Sequence, residues 1–178
     1  MGGGLNSIWS CLYGDTMRVQ CPVCSYQTVS ANGRHDAPYL IVGDAPSFED
    51  VKIGLPFTGR IGDMLSYELA REGIQLQRCR LITIWPHSVT KNMECMNNNF
   101  SLVLAEVLKP REGVLFTGNS IPELFGLPPV KDISGLVMPV LNNIQVEGRF
   151  VFINNLFSFQ NGMLGELRFA LKNLRGRE

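Results

Sequence analysis

Net charge and long apolar runs are both missing from this chain. Its 16 Lys and Arg balance 16 Asp and Glu, so no global field advertises a polyanionic partner. No apolar stretch approaches the roughly 20 residues of a membrane span, and no secretory signal is visible. Internal repeats and low-complexity segments are absent too. The five cysteines (Cys11, Cys21, Cys24, Cys79 and Cys95) make an odd number. Without a sign of secretion they argue against a disulfide framework and for a reducing, intracellular compartment, here the cytoplasm. What is present suits one compact domain: 178 residues, 45% of them hydrophobic, can bury a sizeable core. The expectation is a single monomeric domain over residues 1–178, with residues 1–36 as an N-terminal segment and no membrane contact.

Four short β-rich runs stand out: Tyr39–Gly43, Arg80–Trp85, Gly113–Gly118 and Arg149–Ile153. Amphipathic helical patterns lie between them. Asp63–Glu72 sets Met64, Leu65, Leu69 and Ala70 on one stripe and ends at Gly73, a good C-cap. Phe100–Leu108 carries Leu102, Val103 and Val107 and is stopped by Lys109-Pro110. Ile121–Phe125 reads as a short helix, and Met163–Leu174 as a closing one with Leu164, Leu167, Leu171 and Leu174 inward. Pro129–Gly148 reads as a loop or a β-hairpin crossing back. Strands alternating with helices imply right-handed crossovers and a parallel sheet covered on both faces. Arg168, Lys172, Arg175 and Arg177 form a C-terminal basic strip, read as the solvated face of a final helix.

Chemistry concentrates in residues 41–62, IVGDAPSFEDVKIGLPFTGRIG. An apolar strand ends at Gly43 and a loop rich in Gly, Pro and acids follows, with Asp44, Glu49, Asp50 and Phe57 on it. Gly59-Arg60-Ile61-Gly62 then leads into a helix. Loops at the C-terminal ends of strands are where open α/β sheets bind ligands. Glu49 and Asp50 read as structural or solvated, and Asp44 either caps the loop or carries chemistry. Upstream, Cys21-Pro22-Val23-Cys24 is a CxxC knuckle, a spacing that points to metal or redox chemistry. It precedes the first credible strand instead of joining strand to helix, which favours metal.

The ordered set Gly43-Asp44-Ala45-Pro46, Glu49-Asp50 and Gly54-Leu55-Pro56-Phe57-Thr58-Gly59-Arg60-Ile61-Gly62 resembles the first motif of the family 4 uracil-DNA glycosylases, roughly GEAPGxxEDxxGxPFVGxAG. The helix LSYELAREGI is similar to the one that follows it there. Val114 to Gly126 resembles the family's ALGATAAxxLLG segment. The similarity covers about Cys21 to Gly126. It implies a three-layer α/β/α sandwich with a central four-stranded parallel sheet and the site at the strands' C-terminal ends. The implied activity is a DNA glycosylase: DNA binding, base flipping, and hydrolysis of the N-glycosidic bond of an extruded uracil or modified pyrimidine, in DNA repair. Phe57 would stack on the base. Asp44, at the family's Glu position and one methylene shorter, would stabilise the cation-like sugar and orient water. The amides of Ala45 and of the Gly59-to-Gly62 turn would bind base carbonyls or phosphate, and Arg60 a phosphate.

Two departures qualify the resemblance. The family's base-reading Asn falls at Thr83, where one hydroxyl replaces an amide that both donates and accepts. The family's late HPxYLLR motif is replaced by Asn154-Asn155-Leu156-Phe157-Ser158-Phe159-Gln160-Asn161, without a His. Asn154 or Asn155 could donate to the departing base instead, and Leu156 or Phe157 could wedge into the base stack. Family 4 members also hold a 4Fe–4S iron–sulfur cluster on four cysteines. Cys21 and Cys24 match the early pair and Cys95 the last ligand, while the third position lands on His87; Cys79 matches none. Cys21, Cys24, His87 and Cys95 would suit a structural zinc, and a cluster with one His ligand is the other reading. Two further classes stay open beside the enzyme. One is a catalytically impaired glycosylase fold binding DNA or a protein, for example in a replication or repair assembly; the other is a base-modifying enzyme reusing the pocket.

Overall fold

The computed structural model describes residues 20–88, 92–141, 144–156 and 164–176; Cys11, Phe157 to Asn161 and Arg177 lie outside the described residues. Strand β1 (Tyr39–Gly43) is buried at every position. Tyr-Leu-Ile-Val-Gly lacks the in–out alternation of a half-exposed strand because both its faces are covered, as parallel strands require. It lies between β2 (Cys79–Thr83) and β3 (Gly113–Thr117), which are also buried throughout. With β4 (Val137–Leu141) and β5 (Ile144–Ile153) the sheet order is β2-β1-β3-β5-β4. The four runs expected as strands pair in parallel. A fifth strand, β4, lies antiparallel to β5 at the edge, so the expected four-stranded parallel sheet is a five-stranded mixed one. The extra strand comes from Pro129–Gly148. Of the loop and hairpin readings, the hairpin is right, because only antiparallel neighbours can be joined by so short a connection.

The helices are α1 (Phe48–Ile53), α2 (Gly59–Arg71), α3 (Met93–Val107), α4 (Ile121–Leu124), α5 (Val130–Ile133) and α6 (Leu164–Arg175). Alternate strand residues feed two cores. Tyr39, Ile41, Leu115 and Val151 meet α2 and α6 through Leu65, Leu69, Leu167 and Leu171. Leu40, Val42, Phe116 and Phe152 face Val103 and Val107 of α3 and Ile121 of α4. Helices on both faces give the expected three-layer α/β/α arrangement. The C-terminal basic strip is not simply solvated. Arg168 grips Glu68 of α2 through bonds of 2.9 and 3.0 Å, and Arg175 donates to the Glu72 carbonyl. Part of the strip is therefore a seam between α2 and α6.

Register sets the site. Gly43 lies opposite Thr83 on one side and Thr117 on the other, and Thr117 lies opposite Ile153. The chain therefore leaves the sheet at Asp44, Ile84, Gly118 and Asn154 along one edge. From β1 the chain goes first to one neighbour, β2, and then to the other, β3. The crevice at that reversal is where open α/β sheets bind ligands.

Candidate active site and metal centre

A pocket opens at this crevice, walled by Gly43, Asp44, Ala45, Ser47, Asp50, Phe57, Ile61, Thr83, Thr117, Asn155 and Leu156. Phe57 is held in it by an unusual backbone. Its φ of 56° is in the left-handed region, which costs a non-glycine residue about 1–3 kcal/mol unless its surroundings fix it. Asp50 does the fixing. Its Oδ1 accepts from the Thr58 amide at 2.6 Å and the Thr58 hydroxyl at 2.7 Å, and its Oδ2 from the Ser47 amide at 2.8 Å. One buried carboxylate thus closes the capping box of α1 and ties both ends of the 47–58 loop together. Two glycines make room for the bend. A Cβ on Gly62 would sit 1.8 Å from the Phe57 carbonyl oxygen, and one on Gly43 would sit 2.9 Å from Phe57 Cζ. The ring is only 8% exposed, lying over the end of β1.

Asp44 is stitched across the crevice. Its amide donates to Thr117 O of β3 at 3.1 Å, and its carbonyl accepts from the Trp85 amide beyond β2 at 2.9 Å. Its carboxylate oxygens lie 2.9 and 3.0 Å from Ser120 Oγ, whose single proton can go to either. Ser120 was not singled out in the sequence. It lies just after β3 and 76 positions from Asp44, and no local spacing connects the two. Thr83 lines the pocket, and its hydroxyl donates to Trp85 O at 2.8 Å. Toward a ligand, Thr83 is thereby left with lone pairs and no proton. Asn99 of α3, likewise not anticipated, donates to the carbonyls of Thr83 and Ile84 at 2.8 and 2.7 Å and clamps this turn.

The other expected residues divide. Asn155 lines the pocket, and its amide N–H donates to Asn119 Oδ1. Asn154 does not join it: its side-chain amide donates to Glu166 Oε1 at 3.0 Å, an acceptor that Ser134 also bonds. Leu156 is 1% exposed and packs in the core beside Phe57, so it is a pocket wall and does not project as a wedge. Gly62 is buried, against the Phe57 carbonyl, while Ala45 and Arg60 are exposed and Gly59 is half-buried. Neither of the chain's histidines, His35 and His87, lines the pocket.

His87 belongs to a second constellation. The ligand atoms of Cys21, Cys24, His87 and Cys95 all lie within 4.8 Å of one another. The knuckle is shaped by backbone bonds, with the Ser25 amide donating to Cys21 O and the Cys21 amide to Tyr26 O, each at 2.8 Å. His87 comes from the turn beyond β2 and Cys95 from the first turn of α3. His87 Nε2 is 3.1 Å from Cys24 Sγ, while its buried Nδ1 has no partner among the described residues. Burial holds the His87 imidazole below its usual range. Burial, reinforced by Cys24 and Cys21, pushes the Cys95 thiol up to about 12. Thiols this crowded resist ionising together, a conflict that a bound cation removes. Cys79 stands apart, buried in β2 with its thiol facing Gln75 O.

The family description "Uracil DNA glycosylase superfamily" matches residues 31–157, which include every pocket residue named above, His87 and Cys95. A type-4 uracil-DNA glycosylase of Pyrobaculum aerophilum is 27% identical, over 60% of this chain and 60% of that protein's own length. The family expected from the ordered 43–62 motif is borne out: this chain belongs to the uracil-DNA glycosylase superfamily.

Proposed function

We propose that the protein is a DNA N-glycosylase that extrudes a uracil or modified pyrimidine and hydrolyses its bond to deoxyribose. The observation that carries this reading is the Asp44 carboxylate, hydrogen-bonded by Ser120, in the same pocket as the Phe57 ring. A flipped base needs a slot with a stacking surface, and Phe57 supplies it. As the glycosidic bond breaks, the sugar gains positive charge. Asp44 stabilises that charge and orients the attacking water, with Ser120 setting the rotation of its carboxylate. Asn155 donates to the departing base. Asn154, whose amide is committed to Glu166, positions the turn. Arg60 and the first amides of α2 meet DNA phosphates. The helix has no side-chain cap at its start, since the Thr58 hydroxyl is turned to Asp50.

Thr83 bears on the choice of base. An Asn at this place can donate to one atom of a uracil edge and accept from the next, whereas Thr83 can only accept. It tolerates any pyrimidine presenting an N–H there and gives nothing to a carbonyl at position 4. The reading is thus a relaxed or modified-pyrimidine preference instead of strict uracil specificity. Cys21, Cys24, His87 and Cys95 hold a structural metal that fastens the N-terminal knuckle to α3.

A second reading is a DNA- or protein-binding subunit with impaired catalysis. It is favoured by one observation, that no histidine faces the pocket where the departing base would need charge stabilisation. One assay separates the two. Oligonucleotides carrying uracil, hydroxymethyluracil and other modified pyrimidines are incubated with the protein and treated with hot alkali to reveal abasic sites. Strand breaks at one or more of these bases, lost in Asp44→Asn, are expected. Binding to every oligonucleotide without breaks would establish the subunit reading instead.

A further inference from the structure

A 4Fe–4S cluster, the cofactor of the family 4 enzymes, does not fit the arrangement of Cys21, Cys24, His87 and Cys95 in this chain. Around a single ion about 2.3 Å from its ligands, a tetrahedron has edges of about 3.8 Å. In a four-iron cube each ligand binds its own corner iron, and the bonds diverge from a common centre. The ligand–ligand separation is then that same edge plus the full iron–iron distance. Here every pair of ligand atoms lies within 4.8 Å. That leaves at most about 1 Å for the iron–iron distance, far less than two metal atoms occupy. The Cys24–His87 pair, at 3.1 Å, is closer than even the single-ion edge. The hollow beside the knuckle does not serve as a cluster chamber: it is lined by Cys21 and Cys95 but by neither Cys24 nor His87. The donor set agrees with the spacing, since three thiolates and one imidazole form a recognised closed zinc shell, while an imidazole is an unusual ligand to a cube.

We infer that Cys21, Cys24, His87 and Cys95 bind one tetrahedral zinc ion and do not hold a 4Fe–4S cluster. The inference rests on the four residues forming a metal site at all, as proposed above. A single zinc ion is redox-inert, so the site is a mechanical clip. It joins the 20–32 segment, which lies along the outer edge of β2 through the Asn32–Leu81 bridge, to the turn at His87 and the start of α3.

The test is to produce the full chain without oxygen in medium supplied with both iron and zinc, then measure zinc, iron and acid-labile sulfide per chain. Expected are one zinc, negligible iron and sulfide, and no broad visible absorbance. Replacing the metal with cobalt(II) should produce the intense bands of tetrahedral cobalt thiolate. Cys11→Ser should leave the metal content unchanged, whereas His87→Ala should lose most of it. Four irons with matching sulfide would overturn the inference while leaving the metal site standing, as would metal lost in Cys11→Ser but kept in His87→Ala. A chain with no bound metal of any kind would instead overturn the underlying reading of these residues.

Discussion

A methyl group on Gly43 would press on the tip of the Phe57 ring and come within 3.4 Å of Thr83 Cγ2. Gly43→Ala is therefore expected to narrow the base slot while leaving the fold intact, because the ring edge can give way where backbone could not. Excision should fall about 10-fold or more through misplacement of the stacked base, with the melting temperature little changed; single-turnover rates and a thermal melt check both. Gly62 differs, because its missing side chain leaves room for the Phe57 carbonyl. There Gly62→Ala should lose stability first. Ser120→Ala removes the hydrogen bond that fixes the Asp44 carboxylate but leaves the charge. A drop smaller than that of Asp44→Asn, with binding of abasic-site DNA unchanged, is the expected signature of a positioning residue. These residues differ in how far the sequence reveals them. Asp44 and Phe57 sit in one ordered motif and could be read directly. Ser120 and Asn99 reach the site only after a strand or helix has brought distant chain together, and nothing in their neighbours announces it.

Between elements, the clearest electrostatic joint is the Glu68–Arg168 pair linking α2 and α6. The two Arg168 hydrogen bonds outweigh burial and hold the Glu68 carboxyl below its usual range. A lowered carboxyl pKa stabilises the fold above the unfolded value of about 4.3. That contribution is lost as pH falls through the lower folded value. Glu68→Gln should cost about 1–2 kcal/mol at neutral pH, at the low end for charged hydrogen bonds because Arg168 is 37% exposed and water screens it. The gap in melting temperature between the two proteins should close as pH falls from 7 toward 3. Element boundaries were legible to different degrees. Strands β1 and β3 announced themselves as continuous apolar runs ending at Gly or Thr, whereas β2 spans Cys79–Thr83 with Arg80 inside it and β5 starts at Ile144, five residues before the expected Arg149, because Gln145, Glu147 and Gly148 break its apolar pattern. Helix α3 begins at Met93, capped by the Asn92 side chain, which accepts from the Glu94 amide at 3.0 Å; the sequence pattern places the start at Phe100 because the first seven residues bury only Cys95 and Met96 and show little apolar stripe. Helix α1 went unread although its Ser47–Asp50 box is a start signal; the six-residue helix is too short to display periodicity.

Across the whole fold, the proposed chemistry sits at the C-terminal ends of the strands, and the proposed metal site sits on the flank beside β2. The 20–32 segment shields the open edge of β2 through the paired Asn32 and Leu81 backbone bonds of 2.9 and 2.8 Å, and it is held beyond the strand by the Val29 amide on Pro86 O and the Ser30 amide on Gly54 O, which guards an edge strand against pairing with another chain. Stripping the metal should therefore loosen this flank. Chelation or Cys95→Ser should lower the melting temperature by several degrees and expose the 20–32 amides to hydrogen exchange, with the β1 and β3 amides still protected. The metal set was readable only by counting from a resemblance, since His87 lies 63 residues from Cys24. The pocket's electrostatics were less readable, because they depend on which atoms each hydroxyl and amide has already bonded.

The role proposed for Asp44 in base release is decided by single-turnover excision with wild type and Asp44→Asn, at protein concentrations that saturate binding of the best-cleaved modified-pyrimidine oligonucleotide. A fall in the chemical rate of about 10²–10³-fold with unchanged DNA affinity is the expected result. Equal rates for the two proteins, or no excision of any pyrimidine by the wild type, would contradict it.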